Sequence, residues 1–135
     1  MERCALVENG PVCARFRTVR TYGRSTITQT LVFYAALPRI DVCNEIDWHE
    51  DHTLLRAHFP TTIHASRAVY DIQFGNIERE TNRNTSWEFA KFEVCGHKWA
   101  DLSDGTLGLA VLNDCKYGYR CMEGELSLSL LRAPT

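Results

Sequence analysis

The sequence lacks long apolar runs and clustered basic residues. No long apolar stretch follows the charges of the N-terminal segment MERCALVENGPVC, so we expect neither a signal peptide nor a membrane anchor. Fifteen Lys and Arg are balanced by 17 Asp and Glu, for a formal net charge of -2. The nearest approach to a basic cluster, Arg15, Arg17, Arg20 and Arg24, is more typical of a solvated sheet face than of phosphate binding. We therefore expect no nucleic acid and no membrane among the partners.

A disulfide framework and a phosphate-binding loop are missing as well. The six cysteines are scattered without a framework spacing, which favours reduced thiols and a cytoplasmic protein. The eight glycines are dispersed as turn formers, so no glycine-rich phosphate loop is present. With 135 residues, 44% hydrophobic and 24% charged, the chain fits one folded domain.

Catalytic and metal-binding patterns are absent too. The segment His49-Glu50-Asp51-His52 has histidines three apart and no helical pattern around them, so it predicts a polar hairpin turn rather than a zinc site. Asp41, Glu45 and Asp47 share one strand face. Asp41 and Glu45 would be about 13 Å apart at the backbone, too far for the two catalytic carboxylates of a glycosidase. The separation of Glu45 and Asp47 comes closer to that of the two carboxyl groups in inverting glycosidases. An acidic solvent-facing strand is nevertheless the commoner cause of such a row. We assign no catalytic residue and no metal ligand.

The sequence does have strong alternation with a period of two. Residues 40–48 alternate apolar with acidic or polar side chains, which is typical of a half-buried antiparallel strand. Runs around Phe16 and Phe33, separated by Gly23-Arg24, predict a hairpin. The run over residues 55–59, ended by Pro60, predicts a second hairpin with the strand before it.

The same period continues to the end of the chain. Residues 68–74 predict a strand closed by a turn at Gly75-Asn76, and residues 81–104 predict a long loop leading into a buried strand at residues 91–95. Two short strands, residues 107–111 and 126–130, follow. No window has a capped 3.6-residue period, so the predicted fold class is all-β: an antiparallel β-sandwich of about seven to nine strands.

Both ends of the sequence indicate a piece of a larger sheet. The pattern enters a strand almost at once and stops at residues 131–135, directly after an apolar strand and without a polar tail. We therefore expect exposed apolar surface and self-association, with a homo-oligomer as one outcome.

Several local strings are more specific than a fold class. In chain order they are RIDVCNEIDWHEDH (39–52), YDIQFG (70–75), RNTSW (83–87), FEVCGHKWADLS (92–103), LNDCKYGY (112–119) and LSLSLLRAP (126–134). Together they resemble the C-terminal region of glycoside hydrolase family 38 α-mannosidases of the cytosolic type. The likeness is looser before residue 36.

The resemblance implies that residues 1–135 form one segment of a galactose-mutarotase-like β-sandwich. It also implies an enzyme that hydrolyses terminal α-mannosides with retention, through an Asp nucleophile beside a zinc ion held by His and Asp. In the family these groups lie on a preceding α/β catalytic domain, whose motifs do not occur in this sequence. Zinc or another divalent metal is therefore expected outside this chain, and the implied partners are an α-mannoside or oligomannose glycan and the upstream catalytic domain.

A few polar and aromatic side chains in these strings are candidates for sugar contact. Asn113, Asp114 and Arg132 carry groups that can hydrogen-bond sugar hydroxyls, with a structural turn and a surface charge as the alternatives. Weaker candidates are Arg83, Asn84 and Trp87. The ring of Tyr119 is a further candidate for stacking on a sugar ring, whereas Trp48 is predicted to lie in the core. Three hypotheses remain: a non-catalytic, cleft-forming part of an α-mannosidase, a stand-alone lectin-like carbohydrate-binding module, and a truncated product with no function.

Overall fold

The computed structural model describes residues 3–134, and the chain divides into two compact units, residues 3–52 and 53–134. The expectations about the chain ends include Met1, Glu2 and Thr135, which lie outside the described residues. Within residues 3–134, every strand pairing is antiparallel, which confirms the all-β fold class. None of the described residues forms a helix of the length and apolar character needed to cross a membrane.

The described residues form twelve strands and one short helix. These are β1 (Arg3–Asn9), β2 (Cys13–Tyr22), β3 (Ser25–Tyr34), β4 (Ile40–Asp47), β5 (Thr53–Pro60), β6 (Arg67–Ile72), β7 (Gly75–Glu80), α1 (Ser86–Phe89), β8 (Val94–Cys95), β9 (Trp99–Ser103), β10 (Gly108–Leu112), β11 (Gly118–Met122) and β12 (Glu125–Ala133).

The first unit is a single four-stranded sheet in the order β1-β2-β3-β4. Strands β2 and β3 form the predicted hairpin, with Tyr22 opposite Ser25 and Gly23-Arg24 at the turn. Gly23 has φ +56, a left-handed conformation that glycine adopts without strain. The carboxylate of Glu50 accepts hydrogen bonds from the Arg24 amide (2.5 Å) and the Ser25 hydroxyl (3.2 Å), which fixes this turn.

One face of this sheet is apolar and partly exposed. Leu6, Phe16, Leu31 and Val42 stand opposite one another across the four strands, and strand alternation places Phe33 and Ile40 on the same face. The exposed fractions are 52% for Leu6, 54% for Ile40 and 38% for both Phe33 and Val42. Strand β4 was expected to bury its apolar face, but Ile40 and Val42 on that face are 54% and 38% exposed.

The second unit consists of two four-stranded sheets, in the orders β10-β9-β6-β7 and β5-β12-β11-β8. Their inner faces share one buried core, to which both sheets contribute, so this unit is a β-sandwich. The fully buried side chains include Tyr70 and Leu102 from the first of these sheets and Tyr119 and Leu126 from the second. Tyr70 and Tyr119 pack edge to face across the core, with ring centroids 5.9 Å apart.

The predicted second hairpin is wrong. Strand β4 pairs with β3, whereas β5 pairs with β12 at the far end of the chain, with Thr53 opposite Ala133 and Pro60 opposite Glu125. The strand itself was predicted correctly, and Pro60 is its last residue. Local alternation identified β5 but carried no information on a partner more than sixty residues away.

Four further expectations need correction. The turn after β6 lies at Gln73-Phe74 rather than Gly75-Asn76, and the positive φ falls on Phe74 (φ 59). The loop before β8 contains α1, which the Thr85 side chain caps by accepting a hydrogen bond from the Glu88 amide. The strand predicted at residues 91–95 is reduced to Val94–Cys95, and β11 lies between the two predicted final strands.

Candidate functional site

The first candidate residue, Asn113, lies in the loop after β10 and is held entirely by hydrogen bonds within the protein. Its side-chain amide nitrogen donates to the His97 carbonyl oxygen at 3.0 Å and to the Tyr119 hydroxyl. Its side-chain oxygen accepts a hydrogen bond from the Lys116 amide at 2.5 Å, and its own amide donates to the Lys98 carbonyl at 2.9 Å. The Asn113 side chain therefore folds the 113–117 loop onto the core.

Tyr119, whose hydroxyl bonds the Asn113 side chain, lies on β11 and is fully buried. It is therefore not an exposed loop aromatic, as the sequence had allowed. Burial raises the pKa of the Tyr119 phenol, while its hydrogen bond with Asn113 lowers it. A Cβ at Gly96 would lie 2.9 Å from the Tyr119 ring, so this glycine permits the close approach of the backbone. Tyr119 thus positions Asn113 and does not offer a stacking surface for a sugar.

Asp114 follows Asn113 and points away from the core, with an exposed side chain. Its backbone carbonyl oxygen accepts a hydrogen bond from the Lys98 ammonium group at 2.9 Å. A hydrogen bond from Cys115 lowers the pKa of the Asp114 carboxyl group, with smaller contributions from Lys98 and Lys116. The carboxylate is therefore charged at neutral pH and exposed, as an acceptor for a ligand hydroxyl needs to be.

Arg132 lies near the end of β12, opposite Leu54 of β5, and its side chain is exposed. Within residues 3–134 the guanidinium group makes no hydrogen bond or ion pair. Arg132 is four residues beyond Leu128, which pairs with Tyr119, a separation of about 13 Å along a strand. The structure brings Asn113 and Asp114 together and places Arg132 on a separate element of the same sandwich.

The weaker candidates lie together in the segment that leads into α1. Trp87 is 80% exposed on the helix, and the Asn84 amide donates to the Asn82 side chain at 3.1 Å. The Arg83 guanidinium carbon lies 5.8 Å from the ring centroid of Phe89 and 5.4 Å from that of Phe92. This arrangement combines exposed aromatic rings with a cation.

A charged network that no sequence motif indicated lies on the outer face of the β5-β12 pair. The Arg56 guanidinium donates to Glu93 at 2.5 Å and to the hydroxyl of Ser127 at 3.0 Å, and the Ser129 hydroxyl also donates to Glu93. Only 13% of the Arg56 side chain is exposed. The partner Glu93 comes from the irregular segment before β8, so strand alternation could not have predicted this network.

The acidic row of β4 is engaged in surface ion pairs and hydrogen bonds. Asp41 accepts hydrogen bonds from Arg39 at 2.6 Å and from the Tyr34 hydroxyl at 2.6 Å. These bonds, that of Arg39 first, lower the pKa of Asp41 to about 2. Within residues 3–134, no three His, Cys, Asp or Glu side chains are grouped closely enough to hold a metal ion.

Comparisons with known proteins give a consistent result. A model of the family "Glycosyl hydrolases family 38 C-terminal domain" matches residues 2–135. The chain is 47% identical over 139 residues to Alpha-mannosidase G of Dictyostelium discoideum, which covers 97% of this chain and 12% of that protein. It is 48% identical over 110 residues to human Alpha-mannosidase 2C1, covering 82% of this chain and 11% of that protein.

A yeast relative extends the same likeness. Alpha-mannosidase of Saccharomyces cerevisiae is 42% identical over 110 residues, covering 81% of this chain and 10% of that protein. The chain thus spans about one-eighth or less of the length of the curated relatives that it matches.

Proposed function

The chain belongs to the glycosyl hydrolase family 38 C-terminal domain family, and from this we propose that it is the C-terminal β-sandwich portion of an α-mannosidase that hydrolyses terminal α-mannosides. The observation that carries the proposal is the match over residues 2–135, together with relatives that are all named α-mannosidases. In this proposal residues 1–135 act as one segment in the cytoplasm. The nucleophile, the acid/base residue and the zinc or other divalent ion belong to a preceding catalytic domain, and the isolated chain is inactive.

The proposed supporting role is to pack against that catalytic domain. The apolar face of the β1–β4 sheet supports it, because Leu6, Phe33, Ile40 and Val42 are between 38% and 54% exposed. A contiguous exposed apolar surface marks a protein interaction site. The opposite face carries ion-paired side chains, such as Arg15 with Glu8 at 3.2 Å, and therefore suits contact with water.

The second proposed role is to wall the substrate cleft. Asp114 supplies a charged acceptor and Arg132 a charged donor, and each can bond a hydroxyl of an α-mannoside or oligomannose glycan. Asn113 takes part by holding the loop that carries Asp114, since its own side-chain groups already bond His97, Lys116 and Tyr119.

A chimera tests this proposal. The segment of Dictyostelium discoideum Alpha-mannosidase G that matches this chain is replaced by residues 1–135, and hydrolysis of an aryl α-mannoside is measured. Since hydrogen bonds to charged groups contribute about 1.5–3 kcal/mol, we expect Arg132→Ala to lower kcat/KM roughly ten- to a hundredfold. Arg17→Ala, which removes an exposed charge in the β1–β4 sheet, serves as the control. Equal kcat/KM for Arg132→Ala and the unaltered chimera would contradict the cleft role.

A stand-alone carbohydrate-binding module is the second candidate function, and the 80% exposure of Trp87 favours it. Exposed indole rings can stack on the apolar faces of sugars. Calorimetric titration of the isolated chain with an oligomannose glycan separates the two functions. Binding that Trp87→Ala abolishes supports the module, whereas no binding supports the α-mannosidase segment.

A further inference from the structure

Two of the three guanidinium nitrogens of Arg83 are buried without an acceptor among the described residues. Its Nε and Nη2 atoms are inaccessible and have no hydrogen-bond partner within residues 3–134. Stacking against Phe89 and Phe92, at 5.8 and 5.4 Å, stabilises the cation only in part. Buried charged donors that lack acceptors are costly, so such groups normally pair with a carboxylate or another anion.

The two rings next to Arg83, those of Phe89 and Phe92, are exposed, and so is the ring of Trp87 on the same helix as Phe89. Trp87, Phe89 and Phe92, which we call the aromatic patch, are 80%, 60% and 65% exposed. Trp and Arg are the residue types that most often dominate binding at protein interfaces, where an aromatic anchor fills a pocket on the partner. Two exposed rings beside a partly unpaired cation, with Trp87 on the same helix as Phe89, therefore have the composition of an interface centre.

Arg120, an exposed residue, lines the same hollow as Arg83. A hollow of about 400 Å³ is lined by Arg83 and Arg120 together with Glu123 and Glu125. Glu125 already pairs with His58 Nδ1 at 2.6 Å. Of the two acidic side chains that line the hollow, Glu123 is therefore the one that does not pair with His58. The Arg120 guanidinium has no hydrogen bond or ion pair within residues 3–134. The two buried Arg83 nitrogens thus still lack, in the described part of the chain, an acceptor that a further carboxylate would supply.

We propose that the aromatic patch and the Arg83–Arg120 hollow bind another segment of the same polypeptide, one that presents an Asp or Glu beside apolar side chains. The carboxylate would accept hydrogen bonds from the two guanidinium groups while the apolar side chains cover the patch. This inference rests on the proposed function, because it needs the longer protein of which the chain would cover about 12%, as in the Dictyostelium relative. A neutral sugar would leave both cations unpaired, and tethering raises the effective concentration of a segment of the same chain.

Photo-crosslinking in the chimera tests the proposal. Benzoylphenylalanine replaces Trp87, the protein is irradiated, and the crosslinked peptides are identified by mass spectrometry. Phe74, an exposed aromatic at the turn between β6 and β7, receives the same replacement as the matched control. We expect an intramolecular crosslink from position 87 to a peptide that contains Asp or Glu, with a much higher yield than from position 74.

Charge changes identify the cation's role. Arg83→Gln is expected to lower the yield at position 87 several-fold, and Arg83→Glu combined with Asp or Glu→Arg in the crosslinked segment is expected to restore it. A yield at position 87 no higher than at position 74, or a crosslink to a second copy alone, overturns the proposal. Loss of an internal crosslink when an oligomannose glycan is added would also overturn it, since the patch would then bind sugar.

The activity of the same chimera keeps the two proposals distinguishable. An active chimera without the crosslink refutes this inference and leaves the proposed function intact. An inactive chimera that still gives the crosslink refutes the proposed function of the chain but supports the surface as a docking site.

Discussion

The Asn113 side chain gives the sharpest prediction about stability. Asn113→Ala removes three hydrogen bonds at once, to the His97 carbonyl, the Tyr119 hydroxyl and the Lys116 amide. The Tyr119 hydroxyl lies on a fully buried side chain and keeps only a longer bond to the same His97 carbonyl, at 3.4 Å. At about 1 kcal/mol for each bond, and with water able to reach part of the loop, we expect a loss of about 2–3 kcal/mol in the free energy of unfolding.

Urea denaturation of the 135-residue chain, followed by tryptophan fluorescence, measures this loss. Asp114→Ala is the control, because its exposed side chain predicts a change within about 0.5 kcal/mol. Asn113→Asp keeps the acceptor for Lys116 but loses the donor, so its free energy of unfolding is expected to lie between the two. An Asn113→Ala variant as stable as the wild type, with an unchanged m value, would refute the positioning role of Asn113.

Three further predictions follow from the same structure. Gly96→Ala places a Cβ 2.9 Å from the buried Tyr119 ring and is expected to cost about 1–3 kcal/mol in urea denaturation, whereas Gly75→Ala, with no heavy atom within 4 Å, is expected to be neutral. The pKa of Asp41 is about 2 in the folded protein, below the value of about 3.9 in an unfolded chain, so its stabilisation is present above pH 4 and lost as pH falls towards 2; Asp41→Asn should make acid unfolding shallower in that window. Val42→Glu on the exposed apolar face should reduce the concentration-dependent self-association measured by sedimentation velocity. An unchanged sedimentation coefficient distribution would count against that face as the surface of self-association.

The sequence predicted elements better than it predicted partners. Period-two alternation located β2, β3, β4 and β5 because each side of a strand meets a different environment. The partner of β5 is β12, at the other end of the chain, and alternation carries no information about such a pairing. The hairpin of β2 and β3 was predicted because both strands flank one short turn, Gly23-Arg24.

Local turn chemistry explains the smaller errors. Gly75-Asn76 has the composition of a turn, yet the positive φ falls on Phe74 and Gly75 begins β7. The short helix after Thr85 has four residues, too few for a 3.6-residue period to show. The cap by Thr85 on the Glu88 amide was the one available signal, a Thr three residues before a Glu.

That Asn113, Asp114 and Arg132 contact a sugar stays a prediction, and the sequence could not show which of these side chains face the core. Asn113 and Asp114 are adjacent in sequence, yet the first faces the core and the second faces solvent. Tyr119 was left open as a stacking surface and is fully buried. The unpaired guanidinium of Arg83 depends on what the folded chain places around it, so no sequence pattern could have identified it.

The measurement that tests the central proposal most directly is the release of a chromophore from an aryl α-mannoside, with added zinc or cobalt. It is made on the isolated 135-residue chain and on the chimera with Alpha-mannosidase G. Activity in the chimera alone is the predicted result, since retaining hydrolysis needs an acid/base and a nucleophile that we place outside this chain. Activity in the isolated chain would contradict the proposal that this chain is a non-catalytic portion of an α-mannosidase.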